Sequence, residues 1–291
     1  MELRVLQYFL AVTREQSISG AAESLYLSQP TLSRQLKELE EELGKRLFIR
    51  GSRRVTLTEE GMILRKRAEE IMELVKKAED EITQSDDMLA GDITVGTGET
   101  DGLRFLTRAT HSLQKDYPLI RLNIISGDST TVLENLDRGL IDFGIIFGEV
   151  DNSKYEFIQI PHKDVWGVMM RRDSPLAEKQ EITFDDLIDK SLIISRQAFM
   201  NSDFQNFFPC GQGKLNIVAT YNLLFNASVM VDEGMGYAIC FDNIINVSGN
   251  SNLCFRQLSP RMEASMSIVW KKYQVLSKAI EKFLYRINDE I

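Results

Sequence analysis

SQPTLSRQLKELEEELG, residues 28–44, combines regularly spaced leucines with a polar first half and an acidic second half. The leucines recur at intervals of four, three and four residues: Leu32, Leu36, Leu39 and Leu43. At 3.6 residues per turn they lie on one face of a helix, which predicts that this face packs against a core. Ser28 is suited to cap the helix, Pro30 is tolerated in its first turn, and Gly44 is a typical stop.

The opposite face of this helix carries hydrogen-bonding and cationic side chains near its start: Gln29, Pro30, Thr31, Ser33, Arg34 and Lys37. The acidic residues Glu38 and Glu40 to Glu42 lie in the second half, which would point away from a polyanion. Two interpretations stay open for this stretch alone. It is either an ordinary solvated surface or a surface that binds a nucleic acid.

The preceding segment favours the second interpretation. Residues 3–12 (LRVLQYFLAV) have an apolar helical face: Leu3, Leu6, Phe9 and Leu10. Ala21 and Ala22 are small enough to let two helices approach closely. A short helix joined by a tight turn to the helix that starts near Ser28 is a helix-turn-helix, whose second helix enters the major groove of DNA.

A basic hairpin is predicted directly after this helix. Residues 45–58 (KRLFIRGSRRVTLT) contain five cations without an intervening acid: Lys45, Arg46, Arg50, Arg53 and Arg54. Gly51 lies between the apolar runs LFI and VTL, where the tip of a hairpin is expected. Such clustered cations suit phosphate contacts or a narrow minor groove, so the segment is predicted to be a basic wing.

Residues 1 to about 65 resemble the LysR-type transcriptional regulator family. The resemblance rests on the pattern F.AV...S...AA..L..SQPTLSRQ...LE..LG..LF.R..R.V.LT..G, which runs from Phe9 to Gly61. It implies an N-terminal all-α winged helix-turn-helix. It also implies DNA contacts on the second helix and the wing: Gln29, Pro30, Thr31, Ser33, Arg34, Lys37, Arg50, Arg53 and Arg54.

The chemistry of these side chains divides their expected roles. Gln29 and Thr31 suit base edges, since an amide pairs with adenine and a threonine methyl group contacts thymine. Arg34, Lys37 and the wing arginines suit phosphates, which position the protein on DNA without specifying a sequence.

The net charge of −9 normally argues against a nucleic-acid partner. Residues 1–58 nevertheless hold nine Lys and Arg against seven Asp and Glu, so they carry +2 and the remainder carries −11. The basic surface is therefore local, and the acidic remainder would keep the protein off nonspecific polyanions.

A long helix with a narrow apolar seam is predicted after the wing. Thr58 is suited to cap it, and Glu59 and Glu60 are favourably placed at its positive end. The seam recurs at intervals of four and three residues: Leu64, Ala68, Ile71, Val75, Ala78 and Ile82. This helix either lies on its own domain or pairs with a second copy, and its charged flanks favour pairing. The family resemblance implies a dimerising linker helix here.

The remaining residues alternate between predicted strands and helices. ITVG, RLNII and IDFGIIF are strand-like, and helical segments separate them. This alternation predicts a parallel sheet flanked by helices, and a second unit of the same type begins at VWGVMM, residues 165–170. The end of the chain, MSIVWKK and then LSKAIEKFLYRI, offers a strand and a helix that return to the first unit.

The resemblance extends over these residues through YPLIRLNIISGD, GLIDFGI, DSPLAEK and VDEGMGYAI. It implies two Rossmann-like lobes similar to type 2 periplasmic binding proteins, with a ligand cleft between them. The expected fold is thus α/β, with an N-terminal winged helix-turn-helix and a linker helix. The expected domains are 1–58 for DNA binding, 59–88 for the linker and 89–291 for the effector, with lobe I at about 92–162 and 266–291 and lobe II at about 163–265.

Candidate effector-binding residues follow the strands of both lobes, because ligands in open α/β sheets bind outside the carboxyl ends of the strands. These positions carry polar side chains: Glu99, Thr100, Asp101, Asp128, Ser129, Thr130, Ser195, Arg196 and Gln197. Thr100, Ser129 and Thr130 agree with the binding of small carboxylates that is common in the family. The three acids depart from it.

These acids limit the class of effector, since three carboxylates near one opening would repel a dianion. We therefore expect a neutral, cationic or zwitterionic effector, with Arg196 receiving a carboxylate and one of the acids an ammonium group. The alternative, that the acids cap helices and point to solvent, stays open.

No metal or cofactor site is predicted. His111, on the exposed side of a helix, and His162, beside a loop proline, have no neighbours at metal-ligand spacing. Cys240 and Cys254 lie in apolar strands as core residues. The loop residue Cys210 is either a redox sensor or, as we favour, an inert thiol.

The sequence leaves two classes of function to distinguish: a transcription factor, and a solute-binding module or enzyme. VGTGETDG has Asp101 where a dinucleotide motif needs its third glycine, and no export signal or catalytic constellation supports the second class. We therefore expect a regulator: a homodimer or dimer of dimers that binds a promoter inverted repeat in double-stranded DNA and responds to a small effector, with RNA polymerase as a further partner. Without a long apolar run, we expect it to be cytoplasmic and to have no membrane partner.

Overall fold

The computed structural model describes residues 1–51, 54–83, 89–196 and 215–290 of the 291-residue chain. The chain divides into two compact units, Met1–Gln84 and Ser85–Ile291, each with its own hydrophobic core. We name the first the head and the second the two-lobed unit. Every helix in the described ranges is too short or too polar to span a lipid bilayer.

Helices and one hairpin make up the described part of the head. In chain order they are α1 (Leu3–Glu15), α2 (Ile18–Ser24), α3 (Gln29–Leu43), β1 (Phe48–Arg50), β2 (Val55–Leu57) and α4 (Glu59–Thr83). The strands β1 and β2 pair antiparallel, and the Gly51 N–H donates to the Arg54 carbonyl at 3.0 Å to close the hairpin. The predicted helix-turn-helix is thus α2 with α3, and the predicted wing is the hairpin β1–β2.

The apolar face of α3 packs in the head core over most of its length. Its buried members are Leu32, Leu36 and Leu39. Leu43 is 41% exposed, so the prediction that it faces the core is wrong, because the last turn of α3 extends past the core. On α1 the predicted Leu3 is likewise exposed, and Val5 and Val12 are buried instead.

The seam on α4 is divided between the head core and the outside of the head. Ala68 is completely buried, and Leu64 and Ile71 are half-buried against the same core, so α4 packs on α1 over this stretch. Ala68 is therefore covered by its own chain, contrary to the prediction that it faces a partner helix. The later seam residues are half-buried or exposed: Val75, Ala78 and Ile82.

Strands and helices alternate along the two-lobed unit. They are β3 (Ala90–Thr97), α5 (Leu103–Asp116), β4 (Leu119–Ser126), α6 (Ser129–Asp137), β5 (Phe143–Phe147), β6 (Tyr155–Arg171), a 3₁₀ helix (Pro175–Glu178), β7 (Glu181–Thr183), β8 (Ser191–Ser195), β9 (Asn216–Tyr221), α7 (Leu224–Asp232), β10 (Tyr237–Phe241), β11 (Leu253–Ser259), β12 (Glu263–Lys271) and α8 (Lys278–Asp289).

Parallel strands form the centre of each lobe. In lobe I β3 pairs with β4 and β5, and in lobe II β8 pairs with β9 and β10, all parallel as predicted. The alternation did not predict that β6 pairs antiparallel with β10 and β12 antiparallel with β5. The 17-residue strand β6 passes from lobe I into lobe II, and β12 returns beside it. VWGVMM is therefore the part of β6 that lies in lobe II, and it continues the strand from lobe I without a break.

Helix α8 returns the chain to lobe I, as predicted. Its buried residues pack in the lobe I core: Ala279, Ile280, Phe283 and Ile287. The return explains why lobe I is built from two separate stretches of the chain.

His111 is exposed on α5, as predicted, and the other described histidine and the described cysteines lie in strands. Cys240 and Cys254 are buried, as predicted, whereas Cys210 lies outside the described residues. His162 lies in β6 and not in a loop, and its Nε2 is 3.0 Å from Oδ1 of the buried Asp164. Burial raises the pKa of the Asp164 carboxyl. Within the described ranges, no group of three His, Cys, Asp or Glu residues is arranged to hold a metal ion.

Candidate nucleic-acid interface and effector cleft

The two ends of α3 carry the predicted caps. The Ser28 hydroxyl accepts a hydrogen bond from the Thr31 N–H at 3.3 Å, and Pro30 lies in the first turn. Gly44 ends the helix in the left-handed conformation, with φ of 63°, which glycine adopts without a steric penalty. These three local predictions are confirmed.

The polar face of α3 is largely open to solvent. The exposed residues are Gln29, Pro30, Arg34 and Lys37, and the half-buried ones are Thr31 and Ser33. The Arg34 guanidinium is 3.8 Å from Glu38 and the Lys37 ammonium is 3.2 Å from Glu41. Exposed pairs one helical turn apart contribute only about 0.3–0.5 kcal/mol, so phosphate groups can replace these glutamates at little cost.

The wing adds further cations to the head. Arg46 and Arg54 are exposed, and Lys45 pairs with Glu60 at 3.4 Å. Arg53 and the side chain of Arg50 lie outside the described part of the wing. The described cations alone give residues 45–58 a positive charge.

Glu40 connects α3 to the wing, a role that sequence analysis missed. Its Oε1 accepts hydrogen bonds from the backbone N–H groups of Leu47 at 2.7 Å and Phe48 at 3.1 Å. At the other end of the hairpin, the Thr58 hydroxyl accepts from the Gly61 N–H at 3.0 Å, which confirms Thr58 as the cap of α4. In sequence, Glu40 belongs to an acidic block that predicts only surface charge.

A cavity of about 70 Å³ lies between lobes I and II. Glu99 follows β3, Asp128 follows β4 and Arg196 follows β8, so the cavity lies at the carboxyl ends of the parallel strands, where it was expected. Its volume corresponds to roughly five water-sized positions. The site therefore suits a small molecule.

Three aromatic rings form one wall of this cavity, and sequence analysis missed them. The ring centroids of Phe147 and Phe241 are 5.0 Å apart, and those of Trp166 and Phe241 are 4.1 Å apart. The rings come from β5, β6 and β10, whose apolar runs predict a core and carry no sequence signal for a cleft. Aromatic faces attract cations as well as apolar groups.

The structure brings four of the nine predicted effector-binding residues to the cavity: Glu99, Asp128, Ser195 and Arg196. Thr100 is buried and is not among the described lining residues. Its hydroxyl accepts from the Gly102 N–H at 2.9 Å and lies 3.3 Å from the sulfur of Met266. The side chain of Thr100 thus stabilises the turn before α5.

The other predicted residues lie elsewhere. Asp101 pairs with Arg104 at 2.5 Å, outside the described lining of the cavity. Ser129 and Thr130 belong to the first turn of α6, where Thr130 is exposed, and they do not line the described cavity either. Gln197 lies outside the described residues. The three acids therefore do not converge on one opening.

Two of the acids cap helices, which agrees with part of the alternative that the sequence left open, but both also line the cavity instead of pointing only to solvent. Asp128 accepts a hydrogen bond from the Thr131 N–H at 2.8 Å at the start of α6, and Glu99 accepts one from the Leu224 N–H at the start of α7. The hydrogen bonds from Thr131, with the Arg196 guanidinium in the opposite lobe, hold the pKa of Asp128 below its usual value. Asp128 is therefore ionised at neutral pH.

Comparison with known proteins extends these observations to both units. The family model described as LysR substrate binding domain matches residues 86–290, and the model described as bacterial regulatory helix-turn-helix protein, lysR family, matches residues 3–62. The HTH-type transcriptional regulator BsdA of Bacillus subtilis (strain 168) is 35% identical over 161 residues, which cover 55% of each chain. The uncharacterized HTH-type transcriptional regulator YybE of the same strain is 26% identical over 284 residues, or 97% of each chain.

The fold is also found in a solved complex. The structure of full-length CbnR with its target DNA has a TM-score of 0.77 to this chain at 19% identity, and the match covers 100% of each chain. The two LysR family models together match most of the chain, so the protein is a transcriptional regulator and not an enzyme. The chain belongs to the LysR family of transcriptional regulators, with a DNA-binding helix-turn-helix and an effector-binding unit.

Proposed function

We propose that the protein binds a promoter inverted repeat with one α3 helix in the major groove at each half-site. The observation that carries this proposal is the exposed polar start of α3, followed in the same head by a basic wing. Such a regulator works in the cytoplasm, on promoters that RNA polymerase also binds.

Within this surface, Gln29 and Thr31 contact base edges and the cations contact phosphates. The Thr31 hydroxyl is 2.7 Å from that of Ser28, which leaves the threonine methyl group for a thymine. The full set comprises Gln29, Pro30, Thr31, Ser33, Arg34, Lys37, Arg50, Arg53 and Arg54.

We assign self-association to the outer part of α4. Leu64, Ala68 and Ile71 fix this helix to its own head. Beyond them, Ile82 is 83% exposed and Leu74 is 38% exposed, which a second copy of the helix would cover. Two heads joined through this part of α4 form a homodimer that matches an inverted repeat, and two such dimers form a dimer of dimers.

We propose that the effector is a small zwitterion or cation. Asp128 and Arg196 carry opposite charges on opposite lobes of the cavity, so they suit an ammonium group and a carboxylate of one molecule. The aromatic wall adds a surface that favours a cation or an apolar group. Asp128 is the better ammonium acceptor of the two lining acids, since Glu99 is directed at the start of α7.

Asp128→Asn is expected to separate helix capping from charge. Asparagine caps helices about as well as aspartate but carries no charge, so at pH 7 Asp128→Asn should lose only the stabilisation that the charge supplies, whereas Asp128→Ala should lose about 1 kcal/mol more with the cap. Folding lowers the pKa of Asp128, so its charge stabilises the protein above the unfolded pKa of about 3.9, and this stabilisation is lost as the pH falls through the folded pKa. Urea denaturation of the three proteins between neutral and acidic pH measures both effects.

Asp128→Asn also tests the proposed chemical class of the effector. In thermal-shift titrations, the wild-type protein should be stabilised more by amino acids than by dicarboxylates of the same size, and Asp128→Asn should remove the preference. Stronger stabilisation of the wild-type protein by the dicarboxylates would contradict a zwitterionic or cationic effector.

Gln29→Ala and Arg34→Ala are expected to weaken DNA binding in different ways. Gln29→Ala should cost about 1–3 kcal/mol on the specific repeat, and much less on random DNA. Arg34→Ala should weaken both about equally and should lower the slope of log affinity against log salt by about one per head. Mobility-shift titrations with a promoter fragment and a random duplex, at several salt concentrations, measure the affinities and the slope.

Arg65→Ala is the matched control for the loss of a positive charge. Arg65 pairs with Glu69 at 2.9 Å one helical turn away on α4, as Arg34 does with Glu38 on α3, and it lies outside the proposed surface. The affinities of Arg65→Ala for the promoter fragment and for the random duplex should equal those of the wild-type protein. Equal losses on both duplexes for Gln29→Ala and Arg34→Ala would show that the division of roles is wrong.

A further inference from the structure

A hydrogen bond joins the two lobes at the wall of the effector cleft. Glu99, in the loop between β3 and α5 of lobe I, accepts this bond from the backbone N–H of Leu224, the first residue of α7 in lobe II. Both residues line the cavity. We name this hydrogen bond the Glu99 bridge.

The start of α7 depends on this contact because it has no cap of its own. The N-cap residue is Leu223, whose side chain has no hydrogen-bond acceptor. In contrast, α6 is capped within its own lobe by Asp128, and α8 by Ser277. The free N–H groups at a helix start carry partial positive charge, so a carboxylate is the group that they bind best.

A second pair of charges lies across the same cavity. Asp128 in lobe I and Arg196 in lobe II attract each other, and the Arg196 charge contributes to the lowered pKa of Asp128. The described chain crosses between the lobes in β6 and β12. The Glu99 bridge and the Asp128–Arg196 attraction therefore add to these strand crossings in holding the lobes near one another.

We propose that Glu99 is a built-in carboxylate ligand that holds lobes I and II together in the absence of an effector. The proposal rests on the effector cleft of the proposed function and adds a specificity rule to it. A free carboxylate can bind at the start of α7 only by displacing Glu99. Glu99 thus selects against simple anionic effectors and leaves the Asp128 and Arg196 side of the cavity for the ligand.

Chemical rescue of full-length Glu99→Ala by acetate tests this proposal. Without the bridge, the melting temperature of the two-lobed unit should fall by about 2–6 °C. Sodium acetate should restore it in a saturable manner, because acetate then occupies the vacated position, whereas sodium chloride of the same ionic strength should not. The wild-type protein should gain less from acetate than Glu99→Ala does, because the start of α7 is then occupied by Glu99 and only Arg196 is left to receive a carboxylate.

Tryptophan fluorescence separates a bridge between the lobes from a simple helix cap. Trp166 lies in the cavity wall against Phe241 and is 7% exposed. Opening of the lobes in Glu99→Ala should increase acrylamide quenching of tryptophan emission, and acetate should reverse the increase. Trp270, the other tryptophan, contributes the same background in every variant.

Two further variants complete the experiment. Glu99→Gln keeps an oxygen that accepts from Leu224 but removes the charge. Its melting temperature and its acrylamide quenching should therefore lie between those of the wild-type protein and Glu99→Ala. Asp101→Ala removes a neighbouring acid that pairs with Arg104, and it should respond to acetate like the wild-type protein. The proposal is overturned if Glu99→Ala melts and quenches like the wild-type protein, or if acetate stabilises both equally. Since no DNA or effector is used, such a result leaves the DNA-binding proposal untouched.

Discussion

Leu36→Ala is expected to unfold the head at temperatures where the two-lobed unit remains folded. Leu36 is completely buried in the head core, and removing a buried leucine side chain costs about 2–5 kcal/mol. For a unit of this size each kcal/mol lowers the melting temperature by about 4–8 °C. Because each unit has its own core, calorimetry should show one transition moved to low temperature and the other unchanged, and mobility-shift assays should lose DNA binding above the lower transition.

Leu43→Ala provides the matched control. It makes the same chemical change on the same face of α3, but Leu43 is 41% exposed and lies outside the core. We expect a cost below about 1 kcal/mol, since little apolar area returns to water. The assignment of Leu36 to an independent head core would be contradicted if Leu36→Ala and Leu43→Ala lowered the unfolding free energy equally. It would also be contradicted if Leu36→Ala shifted both transitions.

Gly236→Ala is expected to lower the unfolding free energy of the two-lobed unit more than Gly234→Ala does. Both glycines lie in the turn between α7 and β10. A Cβ atom at this position would lie 2.3 Å from the Ser191 carbonyl oxygen and 3.0 Å from its carbonyl carbon. Both atoms belong to the main chain at the start of β8, which pairs with β10, so they cannot rotate away. We expect a loss of about 1–3 kcal/mol in the two-lobed unit, measured by urea denaturation.

Gly234→Ala tests a different requirement two residues earlier. Gly234 has φ of +80°, and no atom lies within 4 Å of a Cβ built there. The cost is therefore only that of a left-handed alanine, about 1 kcal/mol, and Gly234→Asn should recover part of it. If Gly234→Ala is as damaging as Gly236→Ala, close packing against Ser191 is not what requires glycine at position 236.

Local features of the fold were predictable because they depend on residues a few positions apart. Ser28, Gly44 and Thr58 cap helices through neighbours within one helical turn, and Gly51 closes a hairpin with Arg54. The ends of parallel strands were predictable for a related reason. Strand–helix alternation brings the carboxyl ends of such strands to one edge, so Glu99, Asp128, Ser195 and Arg196 could be assigned to the cleft before their partners were known.

The seam of α4 shows the limit of a periodic pattern. Spacing identifies an apolar face but not the surface that covers it. Ala68 and Ile82 have equivalent positions in the pattern, yet the first is buried in its own head and the second is 83% exposed. Leu36 and Leu43 differ in the same way, because the core of the head is shorter than α3.

Helix caps, hydrophobic periods and strand–helix alternation are local properties, so they were enough to predict a winged helix-turn-helix, a long helix and two α/β lobes. The contacts of the cleft, in contrast, became visible only in the folded molecule. The Glu99 carboxylate meets the Leu224 N–H across 125 positions of sequence. Phe147, Trp166 and Phe241 form a wall although each comes from a different strand. Contacts between distant segments arise from packing of the whole unit, so no local pattern encodes them.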